Sequence, residues 1–189
     1  IARNESKFDQ PPRRTRDDLV AAGEIPDAPY ILVPCQLPHD ETIRFHSDMG
    51  MEDLVESAAR NAAERRRHVV FKPHPANPAS MAPLRALAPA GAFVHWADTA
   101  SLHDLVQHAE SVMTVNSGAG LEALVAGKPV DARGRADYQA LCGPHVTEAQ
   151  RRSFLDWFCT AHAFDAHDLD HSRLVAQAHA AMAEVNGIG

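Results

Sequence analysis

The chain has 189 residues, of which 45% are hydrophobic and 23% are charged, and its formal net charge is -7 at pH 7. This length and composition allow one sizeable core, while the negative charge argues against a nucleic-acid-binding surface, which needs clustered Lys and Arg. No apolar run is long enough to form a transmembrane segment, and no signal peptide is visible.

The first part of the chain is polar. Residues 1–28 are rich in Arg, Asp, Pro and Gln and precede any regular hydrophobic pattern, so we interpret them as a linker from a missing N-terminal domain. Residues 17–23 favour a short helix within this linker. Arg13, Arg14 and Arg16 form either a basic patch or, as we expect, a solvated face of the linker.

The remaining residues, 29–189, alternate strand-like and helical segments and are predicted to form one domain. Apolar, β-prone segments predict strands at residues 30–35, 68–71, 92–96, 111–115 and 130–132, of which 30–35 is a continuous apolar run suited to a buried strand. Apolar residues at helical spacing predict helices at residues 49–67, 83–88, 102–109, 121–126, 149–161 and 172–185. This alternation, without an internal repeat, predicts an α/β fold with a Rossmann-like, doubly wound parallel sheet.

The most informative stretch follows the fourth predicted strand, where residues 116–120 form what we call the glycine turn. Asn116, Ser117 and Gly118 separate this strand from a helix, whose unpaired backbone N–H groups favour a phosphate. If Ser117 caps the helix, Glu122 lies two positions beyond the place of a capping-box carboxylate, so we expect it to bind a sugar diol. Strand, glycine turn and helix also recur throughout α/β proteins, and a merely solvated Glu122 remains the alternative.

Two other loops that follow predicted strands carry polar side chains. The first contains Gln36 and Asp40, and the second contains Lys72 and His74. Ligands bind at the carboxyl ends of the strands in open α/β sheets, so both loops should converge with the glycine turn. Prolines on either side of His74 stiffen its backbone, and an imidazole beside Lys72 suits a phosphate. A solvent-exposed turn histidine is the alternative.

The other histidines predict neither a metal site nor a catalytic site. His167 and His171 are four residues apart, but no carboxylate or cysteine completes a ligand set, so we predict no metal there. We interpret three more histidines as surface positions on helices: His103, His108 and His179. GxSxG, CxxC, HExxH and Walker motifs are absent from the sequence, which argues against the common hydrolase, redox, zinc-protease and P-loop classes.

The cysteines indicate the compartment. Cys35, Cys142 and Cys159 are odd in number and widely spaced, which disfavours a disulfide framework and a zinc site. Unpaired cysteines are typical of reducing compartments. We therefore expect a cytoplasmic protein, or one held peripherally at the inner membrane.

Four motifs occur in order between residues 30 and 138. They are ILVPCQ at 31–36 with Asp40, FKPHP at 71–75, VNSGAGLEAL at 115–124 with GKP at 127–129, and GRADY at 134–138. Together these motifs resemble those of the capsule polysaccharide biosynthesis glycosyltransferases, which include bacterial β-Kdo transferases. The HP and NS…GLEAL motifs are fairly specific as a pair.

The resemblance implies a GT-B enzyme with two Rossmann-like domains, of which this chain is similar to the C-terminal, donor-binding half. It also implies a CMP-activated sugar donor such as CMP-Kdo, a polysaccharide or glycolipid acceptor, and no cofactor or divalent metal. His74 matches the HP histidine near the donor phosphate and is expected to be catalytic, Ser117 matches the phosphate-binding serine, and Glu122 matches a ribose contact. The expected donor-binding residues are Gln36, Asp40, Lys72, His74, Asn116, Ser117, Gly118 and Glu122. The acceptor domain and the catalytic base are expected outside this chain.

Two alternative functions stay open at this level. A CDP-alcohol phosphotransferase of the teichoic-acid type would use a similar GT-B donor domain and would release CMP from a CDP-alcohol. A non-catalytic module that docks a partner enzyme would keep the fold but lose nucleotide binding. Titration with nucleotides distinguishes the non-catalytic module from the glycosyltransferase. The donor from which CMP is released, a CDP-alcohol or a CMP-sugar, distinguishes the phosphotransferase from the glycosyltransferase.

Overall fold

The computed structural model describes residues 10–76, 78–143 and 146–157, and its centre is a five-stranded parallel sheet. The strands are β1 (Tyr30–Pro34), β2 (His68–Lys72), β3 (Val94–Trp96), β4 (Ser111–Thr114) and β5 (Val130–Ala132). Their order across the sheet is β3-β2-β1-β4-β5, and every neighbouring pair is parallel. The predicted Rossmann-like α/β fold is therefore confirmed.

Helices within residues 1–144 flank this sheet and connect its strands. The described helices are α1 (Arg16–Ala21), α2 (Glu41–His46), α3 (Met51–Arg65), α4 (Ala82–Leu87), α5 (Leu102–His108), α6 (Gly118–Val125) and α7 (Glu148–Trp157). Short 3-10 helices lie at Pro78–Met81 and Gln139–Leu141. Sequence reasoning missed α2, because Ile43 is its only buried residue and no apolar periodicity marks it.

The chain divides into two units, residues 1–144 and 145–189. The first unit contains the sheet. Within the second, α7 is described, whereas the end of that predicted helix at residues 158–161 and the predicted helix at 172–185 lie outside the described residues. No helix in the described part of the chain is long and apolar enough to cross a membrane.

Both faces of the sheet are covered, which explains why the central strand β1 reads as a continuous apolar run. On one face, Val33 of β1 and Phe71 of β2 belong to the same core cluster as Leu54 of α3. On the other face, the hydroxyl of Tyr30 in β1 donates a hydrogen bond to the carbonyl oxygen of Leu105 in α5, at 2.7 Å. Because the strand order reverses direction between β1 and β4, the loops after these two strands diverge and leave a crevice.

The segment preceding β1 is packed against the domain. Leu19 of α1 and Ile25 are buried in the core. The arginines of this segment are 28–39% exposed at their side chains, and each one pairs with a carboxylate: Arg13 with Asp104, Arg14 with Glu24, and Arg16 with Asp27. Whether the segment leads in from a further domain stays a prediction.

Candidate functional site

A cavity of about 250 Å³ lies at the carboxyl edge of the sheet, and we call it the carboxyl-edge cavity. Its walls come from the loops after β1 and β2, the start of α6 and the segment before α1. The structure brings all of the expected donor-binding residues to this one cavity: Gln36, Asp40, Lys72, His74, Asn116, Ser117, Gly118 and Glu122. Their convergence follows from the reversal of strand order between β1 and β4.

Ser117 organises the glycine turn at the base of this cavity. It is the N-cap of α6, and its Oγ accepts a hydrogen bond from the backbone N–H of Ala119 at 3.2 Å. Its own backbone N–H donates to Oγ1 of Thr114 at 3.1 Å, which ties the turn to the end of β4. This cap starts α6 at Gly118, three residues before the predicted start, and places the first backbone N–H groups of the helix beside the cavity.

Tyr138, the last residue of the GRADY motif, braces the glycine turn from below. Its hydroxyl donates a hydrogen bond to the carbonyl oxygen of Ser117. Burial raises the pKa of Tyr138, so the phenol stays protonated and keeps this donor. A Cβ atom at Gly120 would lie 2.8 Å from Cε2 of Tyr138, so only glycine fits under this ring.

Gln36 and Asn116 join the two loops that diverge at the crevice. Nε2 of Gln36 donates to Oδ1 of Asn116 at 3.0 Å, and the backbone N–H of Asn116 donates to Oε1 of Gln36 at 3.2 Å. Nδ2 of Asn116 also donates to the carbonyl oxygen of Thr42, at 2.8 Å. These two residues therefore fix the spacing of the cavity walls in addition to lining the cavity.

Asp40 has a structural partner as well. It is the N-cap of α2, where its Oδ1 accepts hydrogen bonds from the backbone N–H of Thr42 at 2.9 Å and from the Thr42 hydroxyl at 2.7 Å. The same residue also lines the cavity, so one carboxylate caps α2 and contributes to the cavity wall.

Lys72 supplies positive charge at the end of β2. Its Nζ donates to the carbonyl oxygen of Asp98 at 3.1 Å, which orients the amine without neutralising it through a carboxylate. Burial lowers the pKa of Lys72, while the negative charges of Glu24 and Asp98 act in the opposite direction.

A hydrogen bond to His74 indicates which ring nitrogen carries the proton in the neutral imidazole. Nδ1 accepts a hydrogen bond from the backbone N–H of Ala76 at 3.2 Å, so in the neutral ring the proton lies on Nε2. The prolines on either side hold this loop, and all three residues from Pro73 to Pro75 line the cavity. His74 is thereby prepared to donate one hydrogen bond while it is neutral.

Glu122 makes a contact that sequence reasoning missed. Its Oε2 lies 3.0 Å from Nε2 of His103, whose side chain is only 1% exposed, whereas the Glu122 side chain is 28% exposed. The prediction that His103 is a surface residue is wrong, because its side chain is buried. His103 and Asp104 are buried because the segment before α1 covers this turn of α5, which the single apolar face of the helix did not reveal.

Two residues from the segment before α1 also line the cavity. Oε1 of Gln10 accepts a hydrogen bond from the backbone N–H of Leu102 at 2.9 Å, and Pro11 is adjacent. Further along, the backbone N–H of Arg14 donates to Oδ2 of Asp104 at 2.8 Å. Sequence reasoning missed Gln10 and Pro11 because they belong to no motif and lie far from the strands whose edge they meet.

The remaining predictions concern metals and thiols. Within residues 10–76, 78–143 and 146–157, the structure shows no group of three or more His, Cys, Asp or Glu side chains arranged to hold a metal ion. Cys35 is buried, Cys142 is partly buried, and both are free thiols. His108 is half-buried. The other residues named from the sequence lie outside the described residues: Cys159, His167, His171 and His179.

Comparison with known proteins adds a family and a fold. The family model described as "Capsule polysaccharide biosynthesis protein" matches residues 13–157, which is more than half of the chain. Among curated proteins, Protein FixF of Sinorhizobium fredii is 33% identical over 114 residues, which cover 58% of this chain and 27% of FixF. The chain thus spans about a quarter of that relative.

Solved structures agree with the family model. The beta Kdo 2,7 transferase of Thermosulfurimonas dismutans KpsC is 25% identical with a TM-score of 0.50, over 75% of this chain and 44% of that one. The beta Kdo 2,4 transferase of the same KpsC is 21% identical with a TM-score of 0.54, over 72% and 42%, and shows a shared fold. The chain spans less than half of each solved transferase.

Proposed function

Because the chain belongs to the capsule polysaccharide biosynthesis protein family, we propose that it forms the donor-binding domain of a glycosyltransferase that uses a CMP-activated sugar such as CMP-Kdo. One observation carries this proposal: three separate loops bring eight expected donor-binding residues to one cavity. That cavity lies where open α/β sheets bind nucleotides. The similar KpsC structure is a beta Kdo transferase, which supports a Kdo donor.

The donor phosphate is assigned to the start of α6. Gly118 begins α6 beside the cap formed by Ser117, so its backbone N–H and the positive end of the helix dipole lie at the cavity floor. Gly118 has no side chain and nothing lies within 4 Å of the place its Cβ would take, so a phosphate can approach the backbone closely. Lys72, on the neighbouring loop, adds a positive charge.

His74 is assigned to the leaving phosphate. As the bond between the sugar and the phosphate breaks, negative charge builds up on the phosphate oxygens of CMP. A neutral His74 that donates through Nε2 would stabilise this charge, and the hydrogen bond from Ala76 to Nδ1 supports that tautomer. His74 then acts by hydrogen bonding, without having to carry a positive charge itself.

Glu122 is assigned to the ribose. It lies in the second turn of α6, beyond the residues assigned to the phosphate, and its carboxylate lines the same cavity. A carboxylate there can accept hydrogen bonds from the two ribose hydroxyls. This role predicts a preference for CMP over 2′-deoxy-CMP, because removing a hydroxyl leaves a carboxylate acceptor unpaired.

The acceptor site and the catalytic base are not assigned to this chain. We assign the acceptor, a polysaccharide or a glycolipid, and the catalytic base to a further domain, since the solved transferases are more than twice as long as the part this chain matches. Donor binding is proposed to need no divalent metal, because Lys72 and the α6 N-terminus supply the positive potential. The free thiols of Cys35 and Cys142 support a cytoplasmic location.

Isothermal titration calorimetry of the 189-residue chain with CMP, CDP, UDP and GDP, all in EDTA, tests the proposal. We expect CMP to bind without added metal and more tightly than UDP or GDP. Tighter binding of UDP or GDP would assign a different donor. An intact fold that binds none of the four nucleotides would favour a non-catalytic docking module.

A further inference from the structure

A buried histidine lies directly behind the carboxylate that we assign to the ribose. His103 is 1% exposed and does not line the carboxyl-edge cavity, yet its Nε2 is 3.0 Å from Oε2 of Glu122, which does. We propose that His103 is a positioning residue, which holds the Glu122 carboxylate in the orientation that accepts the ribose hydroxyls. This inference rests on the proposed function.

The pair is not what packing alone would select. A buried imidazole is costly unless it is hydrogen-bonded, and a leucine at this position could fill similar volume without needing any polar partner. His103 instead makes a polar contact with a residue of the cavity wall. A histidine whose contact reaches the cavity is therefore better explained by what it does to Glu122 than by the stability of the core.

The contact also supplies a physical advantage for binding. A glutamate side chain has three rotatable bonds, and fixing them when a ligand binds costs about 1–2 kcal/mol of conformational entropy. If His103 fixes them before the ligand arrives, that cost does not reduce the affinity. A buried partner at the position of His103 can thus preorganise the Glu122 side chain for ligand binding.

A carboxylate can bind a histidine and a ribose at the same time. It can accept about four hydrogen bonds on its two oxygens, and the contact of His103 lies on Oε2 of Glu122. One imidazole donor and two ribose hydroxyls together require three.

The backbone of His103 is itself held in place, as a positioning residue requires. Ser101, which is fully buried, is the N-cap of α5, and its Oγ accepts a hydrogen bond from the backbone N–H of His103 at 3.2 Å. The next residue, Asp104, pairs with Arg13. The position of the Glu122 carboxylate is therefore set by a helix turn that is itself held by hydrogen bonds.

Calorimetric titration with CMP and 2′-deoxy-CMP tests the inference, using the full chain and three variants at position 103. The wild type is expected to prefer CMP by about 5- to 150-fold, the range for one lost hydrogen bond to a charged group. His103→Leu should reduce this preference by about fivefold or more. His103→Gln, whose amide nitrogen can replace Nε2, should restore it, and the shorter His103→Asn should not.

The matched control is His108→Leu, which removes a half-buried histidine at the other end of α5 and should keep the preference of the wild type. An unchanged preference in His103→Leu would overturn the inference and leave the proposed function standing. If His103→Leu does not fold, equal preferences in the Gln and Asn variants would overturn it. A wild type that does not bind CMP would overturn the proposed function, and the inference with it.

Discussion

Two cavities of similar volume differ in what surrounds them. The carboxyl-edge cavity has a volume of about 250 Å³, and a second cavity, beside α3 and the amino ends of β1 and β2, has about 300 Å³. Both contain basic side chains. In the second cavity, however, Arg67 pairs with Glu110 at 2.7 Å and Arg133 pairs with Asp131 at 2.6 Å.

The carboxyl-edge cavity draws its positive potential from a lysine and a helix end. Nζ of Lys72 donates to a neutral carbonyl oxygen, and the start of α6 contributes the positive end of the helix dipole. Loops from both sides of the strand-order reversal meet there, whereas α3 and the sheet surface form much of the second cavity. The comparison teaches that cavity size does not identify the site, whereas the convergence of loops at the carboxyl edge of the sheet does.

The largest expected effect tests how closely the carboxyl-edge cavity depends on packing beneath the glycine turn. Gly120→Ala places a methyl group against the buried ring of Tyr138, and overpacking of this kind costs up to about 3 kcal/mol. Chemical denaturation measures the change. The matched control is Gly118→Ala, whose added methyl group meets nothing within 4 Å and should leave stability nearly unchanged. Equal stabilities of the two variants would show that Tyr138 does not brace the turn.

An intermediate effect compares the two cavities directly. His74→Ala should weaken CMP binding by about 2 kcal/mol, the cost of a hydrogen bond to a charged phosphate. Arg65→Ala removes a cation that lines the second cavity and should leave the affinity unchanged. Calorimetry of both variants measures this difference. The assignment fails if the Arg65 variant loses as much affinity as the His74 variant.

The smallest expected effect concerns His95, which contacts a histidine of the second cavity and should influence stability but not nucleotide binding. Nδ1 of His68, which lines the second cavity, is 3.0 Å from Nε2 of His95, and burial together with the charge of His68 lowers the pKa of His95. His95 is therefore neutral in the folded protein at a pH where the unfolded chain already binds a proton. Its contribution to stability is complete above the ordinary pKa of about 6.5 and declines as the pH falls below it.

Thermal melts between pH 7.5 and pH 5.5 measure this pH dependence. The wild type should lose melting temperature on acidification, and His95→Gln, which keeps a polar group but does not titrate, should lose less. His39→Gln serves as the control because His39 is exposed, and it should follow the wild type. Parallel profiles for the wild type and the His95 variant would contradict the prediction.

Much of the fold could be read from the sequence because its strands are buried on both faces. Such strands appear as uninterrupted apolar runs, and the predicted run at 30–35 corresponds to β1 (Tyr30–Pro34). The N-cap role of Ser117 was also predictable, because caps depend on residues within one turn. The position of the three loops at one edge of the sheet was predictable from the alternation of strands and helices, because parallel strands share a carboxyl edge.

Only the tertiary structure decided which distant residues meet behind these loops. The contact between His103 and Glu122, the wall formed by Gln10, and the ring of Tyr138 under Gly120 all join segments that no local pattern connects. Local propensities and periodicities act over a few residues, so they determine elements and caps. Contacts between elements depend on strand order and on how helix faces are covered. In this protein those contacts bring the matching motifs together around one cavity, with Tyr138 beneath the glycine turn.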